Sequence, residues 1–313
     1  MKTALVTGGA GFLGSHLTDL LLTRGWKVIA VDNCVTGGWR NLEHVGQGDQ
    51  LIRLEQDVVE PFQVEDDVDW VFHFASPASP EDFTRIPFEV LDVNSVGTKN
   101  LLELALAKKA RFMFASTSEV YGDPHVSPQP ETYWGNVNPN GIRSVYDESK
   151  RFGEAMTMAY RRYRGADVRI VRFFNTYGPR MRIDDGRAVP NFIAQALRGE
   201  PITLYGDGTQ TRSFGYVEDV VGGVYRLMES AVTTPVNIGN DGEYTIRELA
   251  EAIIRLTGAK SEIVERDALP DDPKQRRPDL SEARRHLGYE PVTPLEEGLK
   301  KTIEFYRSEI NVG

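Results

Sequence analysis

Three glycines set three apart, Gly8, Gly11 and Gly14, sit between two legible elements. Residues 2–7 are short, β-branched and apolar, which reads as a strand. Residues 12–22 carry apolar side chains at helical spacing, and Gly25 closes the run. A strand that turns on glycine straight into a helix leaves few folds open. The glycines permit the tight turn and let backbone N–H groups approach a pyrophosphate at the helix N-terminus. The next strand, residues 27–31, ends in Asp32. Residues 68–74 form a near-continuous apolar run, the pattern of a parallel strand buried on both faces. A helix over residues 90–109 and a strand over residues 111–116 follow. Alternating strands and helices of this kind imply a doubly wound parallel α/β sheet, a Rossmann architecture, with ligands at the carboxyl edge of its strands.

The length of 313 residues implies one large α/β unit and a smaller C-terminal α/β lobe. The division expected is residues 1–178 for the dinucleotide domain, completed by about 215–238, and residues 179–214 with 239–313 for the lobe. A net charge of −10 and the absence of a basic run argue against a nucleic-acid partner. The single cysteine, Cys34, excludes an internal disulfide and a cysteine metal cluster, and no metal site is expected. No apolar run approaches the ~18 residues of a membrane span. The chain enters its first strand at once, which leaves no room for a signal peptide and makes a cytoplasmic location the default expectation.

Chemistry-bearing residues gather after the fifth predicted element. Ser116-Thr117-Ser118-Glu119 ends the strand over residues 111–116, and Tyr146-Asp147-Glu148-Ser149-Lys150 opens a helix. Tyr146 and Lys150 are four apart, so both lie on one helix face. A free phenol titrates near ~10 and is a poor base at neutral pH. A neighbouring ammonium and a positively charged nicotinamide favour the phenolate, which makes the pair a plausible base for a sugar hydroxyl. Thr117 is placed to hydrogen-bond that hydroxyl. Asp32 can accept both hydroxyls of an adenosine ribose and repels a 2′-phosphate, which favours NAD over NADP. Asn33, Thr36 and Gly37 form a loop able to wrap the adenosine. His73 reads as structural.

The glycine spacing is the version found in short-chain dehydrogenase/reductase proteins, which the chain resembles from its first strand on. The resemblance implies cofactor contacts at Gly8, Gly11, Phe12, Leu13, Asp57, Val58, Phe74, Tyr146, Lys150 and Thr176. In the sugar-nucleotide members of this family the residues after Thr117 select the reaction. Dehydratases carry Asp-Glu there, and most 4-epimerases lack an acid at both places. Ser118-Glu119 is the pairing of UDP-glucuronate decarboxylases. The resemblance to that family covers nearly the whole chain, through HFASPASP, TSEVYGDP, ETYWGNVNP, YDESKR, FFNTYGPRM, DGRAVPNFIAQALRGEP, LYGDGTQTRSF and DDPKQRRPDL.

The resemblance implies NAD-dependent conversion of UDP-glucuronate to UDP-xylose. Tyr146 takes the C4 hydroxyl proton, a 4-keto sugar forms with its carboxylate β to the ketone, and carbon dioxide leaves. Protonation at C5 and hydride return complete the cycle. Thr117, Ser118, Glu119, Tyr146, Lys150 and Arg276 would be catalytic, with Glu119 orienting the carboxylate or managing a proton at C5. If two carboxylates meet there, a raised Glu119 pKa follows. The UDP-sugar would meet Asn175, Arg187, Val189, Asn191, Phe192, Tyr205, Arg212 and Arg276, with Leu204-Tyr205-Gly206 as the uracil wall and Arg276 preferred to Arg277. The loop bearing Arg180, Arg182 and Arg187 also reads as a solvated linker. Two positions depart from the family. Ser149 stands where glycine is usual. Asp92 stands where a substrate-contacting lysine is usual, and an acid there repels an anionic sugar. The apolar faces of residues 90–109 and 149–164 are those that pair in this family across a two-fold axis, implying a homodimer. The rivals are a 4-epimerase or 4,6-dehydratase on another NDP-sugar, and a non-catalytic nucleotide-sensing scaffold on the same fold. Intact Thr117, Tyr146 and Lys150 oppose the scaffold.

The ribose argument is directly testable. Asp32→Ala is expected to weaken NAD binding and to relax discrimination against NADP, measured by calorimetric titration with both nucleotides. Tight NADP binding by the unmutated protein would contradict it.

Overall fold

The computed structural model describes residues 1–46, 48–267 and 275–312. Six strands, β1 (Thr3–Thr7), β2 (Lys27–Asp32), β3 (Leu51–Glu55), β4 (Trp70–His73), β5 (Arg111–Thr117) and β6 (Val168–Phe173), join a seventh, Pro235–Ile238, in one sheet. The order across it is Pro235–Ile238, β6, β5, β4, β1, β2, β3, with every neighbouring pair parallel. The chain begins in the middle, runs out to β3 and returns to the other side through β4. The order therefore reverses between β1 and β4, which is where ligands of doubly wound sheets bind. This is the fold class expected from the strand–glycine–helix pattern.

Alternation along the strands builds a core on each face. Leu5, Ile29, Val31, Val71, Phe112 and Phe114 pack with Leu101 and Leu102 on one side. Ala4, Val6, Val28, Phe72 and Met113 pack with Leu17, Val221 and Val224 on the other. The second core does not stop at the sheet. It continues through Phe192, Ile193, Leu249, Ile253 and Leu299 in the helices Ala188–Arg198, Ile246–Thr257 and Leu295–Val312. Those helices carry two small sheets. Ile202–Tyr205 pairs in parallel with Ile263–Arg266, and Thr211–Ser213 lies between Glu243–Thr245 and Gln275–Arg276. Thr245 and Glu248 exchange side-chain and backbone hydrogen bonds in a capping box that starts the helix Ile246–Thr257. No helix among the described residues is long and apolar enough to cross a membrane.

The structure departs from the expected helix over residues 90–109. A helix Pro87–Asp92 runs into one wide turn, Val93–Gly97, before a regular helix Thr98–Lys108. Side chains hold the interruption open. Asn94 Nδ2 donates to Val90 O at 3.0 Å, and Thr98 Oγ1 donates to Asn94 O at 2.8 Å. His73 sits among Thr7 Oγ1, Val93 O and Thr98 Oγ1 at 3.1–3.2 Å. Burial lowers its pKa to about 3, so it is a neutral packing and hydrogen-bonding group at the foot of this turn.

The helix Ser144–Arg164 lies on β5 through Gly153. A Cβ there would stand 2.2 Å from Phe114 Cζ, so only hydrogen fits. Gly153→Ala should push the helix off the strand against a fully buried ring. Overpacking of this kind costs about 1–3 kcal/mol, more than the ~1 kcal/mol of helix propensity that alanine returns. A fall in Tm of roughly 2–6 °C is expected by calorimetry. An unchanged Tm would show that the interface has slack.

Candidate active site

The strand ends, the loop after β2 and the inner wall of the lobe enclose one cleft of about 1010 Å³. Apart from Leu204 and Gly206 of the expected uracil wall, the cofactor, catalytic and substrate residues expected from the sequence line it. Gly8 has a left-handed φ of +68°, and a Cβ there would lie 2.8 Å from the Phe74 carbonyl. A Cβ at Gly14 would lie 2.0 Å from Gly8 O. The turn is thus packed as closely as backbone allows. No side chain caps the helix Phe12–Thr23, and its first turn holds no acid, so its leading N–H groups face the cleft ready for an anion.

At the end of β2, Asp32 accepts from Ala10 N at 3.0 Å and Cys34 N at 2.9 Å. Burial raises its pKa, and those backbone donors oppose the shift. Gly37 leaves room beside it, since a Cβ there would reach Asp32 Oδ2 at 3.0 Å. Asn33 Nδ2 donates to Asp57 Oδ2 at 2.9 Å and links the two loops, with Val58 beneath them. Asp57 and Val58 line the cleft on the same side as Asp32 and Thr36. A dinucleotide with a close-packed pyrophosphate and a ribose at Asp32 fits this groove.

At the other end, β5 stops at Thr117, whose Oγ1 accepts from Glu119 N at 3.3 Å. The short turn Ser118–Tyr121 follows and aims Glu119 inward. Its carboxylate lies between two guanidinium groups. Arg276 Nη2 is 2.9 Å from Oε2, and Arg143 Nη2 is 2.6 Å from the same oxygen. Burial alone would raise the Glu119 pKa, but Arg276 and Arg143 outweigh it and hold it at about 2. Without a substrate carboxylate beside it, Glu119 meets two cations and its pKa lies below the ordinary value.

Tyr146 lies in the first turn of the helix Ser144–Arg164 and stacks on Phe83, with ring centroids 4.7 Å apart and planes 13° apart. Burial and then the Glu119 charge push its phenol above the ordinary value, while a hydrogen bond from Thr117 and the Arg187 charge oppose this. Lys150 Nζ donates to Ala115 O at 2.9 Å and lies 5.6 Å from the Tyr146 ring centre. Burial lowers its pKa to about 7. The phenolate expected from an ammonium together with a positive nicotinamide is thus opposed by burial in the protein alone, for the phenol and the amine alike.

Across the cleft, Asn175 follows β6, and its carbonyl accepts from Gly215 N at 2.8 Å. Val189, Asn191 and Phe192 lie on the first turns of the helix Ala188–Arg198. The loop before that helix is not a solvated linker. Arg180 pairs with Asp19 at 2.7 Å, Arg182 with Asp82 at 3.2 Å, and Arg187 with Asp185 at 2.8 Å. Asp82 also pairs with Arg85 at 2.6 Å, and Ser79 donates to the Asp185 carbonyl. The loop is tied across the mouth of the cleft to the segment that follows β4. Tyr205 lines the cleft, whereas Leu204 is fully buried in the core and forms no part of the wall, because successive strand residues face opposite ways. Arg212 and Arg276 are register neighbours on adjoining strands. Arg276 points inward, and Arg277 turns away to Asp241 O at 3.0 Å. The segment Asp271–Lys274 that precedes them lies outside the described residues.

Arg143 and Phe83 were not singled out from the sequence. Arg143 was findable, since it stands three residues before Tyr146, one helical turn away. Phe83 carried no signal. Ser149 is not a silent change from glycine. Its hydroxyl donates to Tyr146 O at 2.9 Å and accepts from Asn94 Nδ2 at 3.0 Å, tying the helix Ser144–Arg164 to the wide turn. Asp92 lines the cleft from an exposed position.

Residues 4–239 match the model of the NAD dependent epimerase/dehydratase family. The chain is 52% identical over 309 residues to UDP-glucuronic acid decarboxylase 1 of Xenopus tropicalis, covering 99% of this chain and 73% of that one. It is 50% identical over 309 residues to UDP-glucuronic acid decarboxylase 3 of Arabidopsis thaliana, covering 98% and 90%. Among solved structures, UDP-glucose 4-epimerase of Thermotoga maritima with UDP-glucose superposes with a TM-score of 0.88 at 32% identity, covering 98% of this chain and 99% of that one. The chain belongs to the NAD dependent epimerase/dehydratase family, and within it to the UDP-glucuronic acid decarboxylases.

Proposed function

We propose that this chain decarboxylates UDP-glucuronate to UDP-xylose with a resident NAD. The observation that carries the reading is Glu119 beside the Tyr146–Lys150 pair, with Arg276 set against it. The buried Nε–H of Arg276 has no partner among the described residues. A guanidinium with a donor to spare inside a closed cleft suits a carboxylate of the substrate. The family relationship supports the same substrate.

NAD bound in the glycine groove would accept the C4 hydride and give it back once carbon dioxide has left, so that the net reaction is redox-neutral, and its positive ring would favour the Tyr146 phenolate. Gly8, Gly11, Phe12 and Leu13 hold its pyrophosphate, Asp32 with Asn33, Thr36 and Gly37 its adenosine ribose, Asp57 and Val58 its adenine, and Phe74 and Thr176 its inner half. Tyr146 removes the C4 hydroxyl proton, and Thr117 orients that hydroxyl. Lys150, as the ammonium, stabilises the phenolate that takes this proton and so becomes the neutral phenol. The sugar is then a β-keto acid, and the C–CO₂ bond breaks with its electron pair delocalised into the enolate. Arg276 holds the departing carboxylate. Ser118 and Glu119 place the proton donor that restores C5. Asn175, Arg187, Val189, Asn191, Phe192, Tyr205 and Arg212 bind the UDP moiety. In this division residues 1–178 with about 215–238 carry the cofactor, and residues 179–214 with 239–313 carry the sugar nucleotide.

We also propose a homodimer. Phe88, Leu91 and Val96 beside the wide turn, and Phe152 on the catalytic helix, are exposed apolar side chains on packed helices, with Phe88 74% exposed. A C2 pairing would cover them. Light scattering at micromolar concentration is expected to give twice the chain mass, and a monomeric mass removes this assembly.

The chemistry is tested by separating oxidation from decarboxylation. With UDP-glucuronate, Tyr146→Phe should release no carbon dioxide and give no C4 ketone trappable with borodeuteride. Glu119→Gln should still form the ketone while carbon dioxide release falls by about 100- to 10,000-fold. Arg276→Ala should resemble Glu119→Gln if it grips the carboxylate, and should mainly raise KM if it holds phosphate. Unchanged product mass with a new retention time from the wild-type protein would make it an epimerase instead.

A further inference from the structure

Glu119 has two cationic partners with unlike anchorage. Arg276 comes from the two-residue strand Gln275–Arg276 of the lobe, far along the chain. Arg143 is the N-cap residue of the catalytic helix, and its carbonyl accepts from Tyr146 N and Asp147 N, each at 3.0 Å. Its guanidinium lies 5.8 Å from the centre of the Phe83 ring, the ring that stacks on Tyr146. Arg143 is thus fixed in the same frame as the catalytic phenol, and its Nη2 reaches Glu119 at 2.6 Å. The mechanism above gives it no task.

An acidic sugar creates one. When a second carboxylate enters beside Glu119, the Arg276 guanidinium must be shared or ceded. A buried carboxylate left next to another without a cation either takes up a proton or swings away. We propose that Arg143 is a positioning residue that keeps Glu119 anionic and aimed at the reacting end of the sugar while Arg276 turns to the substrate carboxylate. The proposal rests on the acidic-sugar reading of the site. The charged and titratable groups around the pair are Arg276 and Arg212 from the lobe, Arg187 from the loop before the helix Ala188–Arg198, and Tyr146, Asp147, Glu148 and Lys150 from the catalytic helix. Asp147 is buried with one carboxylate oxygen unpartnered among the described residues. Burial and the Glu119 charge raise its pKa to about 7, and Arg143 and Arg276 oppose the shift. Arg143 and Arg276 both form ion pairs with Glu119 among the described residues.

Arg143→Gln and Arg143→Lys in the full-length holoenzyme test this. With UDP-glucuronate, Arg143→Gln should lower kcat by roughly 10- to 100-fold with KM within about threefold, because the residue acts through Glu119 and not on the substrate. The acid limb of its kcat–pH profile should move up by at least about one pH unit, and Arg143→Lys should return most of both. Carboxyl ¹³C titration of Glu119, assigned with Glu119→Gln, should show the same upward move without substrate. A KM raised more than tenfold at unchanged kcat would overturn the proposal, since Arg143 would then grip the sugar itself. So would an acid limb and a Glu119 titration that stay in place. If the wild-type protein releases no carbon dioxide from UDP-glucuronate, the functional reading fails, and the Glu119 titration still decides whether Arg143 holds that carboxylate.

Discussion

Burying the Glu119 carboxylate ties together the three parts of the molecule that make the cleft. Glu119 follows β5 and therefore belongs to the sheet. Arg143 caps the helix Ser144–Arg164, and Arg276 belongs to the lobe. Each needs the others in place, because removing one partner of a buried ion pair leaves a charge uncompensated, at a cost of about 3–5 kcal/mol. Supporting bonds fix the lobe side. Gln275–Arg276 is registered against Thr211–Ser213, and Gln129 exchanges hydrogen bonds with Arg277, its N–H donating at 2.9 Å and its Oε1 accepting at 2.8 Å. The pair also sets how the site responds to acid. A carboxyl held at about 2 in the folded chain contributes stability above its ordinary pKa, and that contribution is lost as pH falls through the folded value. Asp147 acts in the opposite sense. Its raised pKa disfavours the folded state increasingly as pH rises from the ordinary carboxylate range to about 7.

The continuous core explains why such a pair can exist at all. The hydrophobic cluster that begins under β1 and β5 continues into the helices of the lobe without a break. The two walls of the cleft therefore share an interior. At the rim, Arg182–Asp82 and Ser79 with the Asp185 carbonyl bridge the mouth. Water admitted here would weaken the electrostatic contacts and compete for the C5 proton position, so contacts that narrow the mouth favour the reaction.

Much of this was legible before the fold was known, and the reasons differ by residue. Gly8, Gly11 and Gly14 are dictated by backbone approach, which leaves a spacing in the sequence. Tyr146 and Lys150 are placed by the helical period, and Asp32 by the end of a strand. All of them line one cleft because a parallel sheet collects its strand ends on one edge. What local reasoning missed depends on pairing at long range or on side chains that override a period. Arg276 and Glu119 meet only because three strands of the lobe fall into register. The helix over residues 90–109 keeps its apolar spacing through the wide turn, so periodicity could not see that Asn94 and Thr98 open it. Leu204 was misplaced for a simpler reason. It alternates with Tyr205, and only one of the two can face the cleft.

Asp92 poses the remaining electrostatic question, because it puts an acid on the wall of a cleft meant for an anionic sugar. Its position settles how much that matters. It is exposed at the rim, together with Glu89, where water and salt damp a single charge within about one Debye length, ~8–10 Å. The cations on the opposite side are deeper. Arg187, Arg212 and Arg276 are at most half-exposed, and they act where the local dielectric is low and each charge counts for more. The field felt by a bound carboxylate or diphosphate is therefore set by the interior guanidinium groups, and the rim acids act on approach. A lysine at position 92 would add an attractive contact at the entrance. An aspartate there leaves the attraction to the interior, where Glu119 already holds Arg276, and Arg143 beside it, in place.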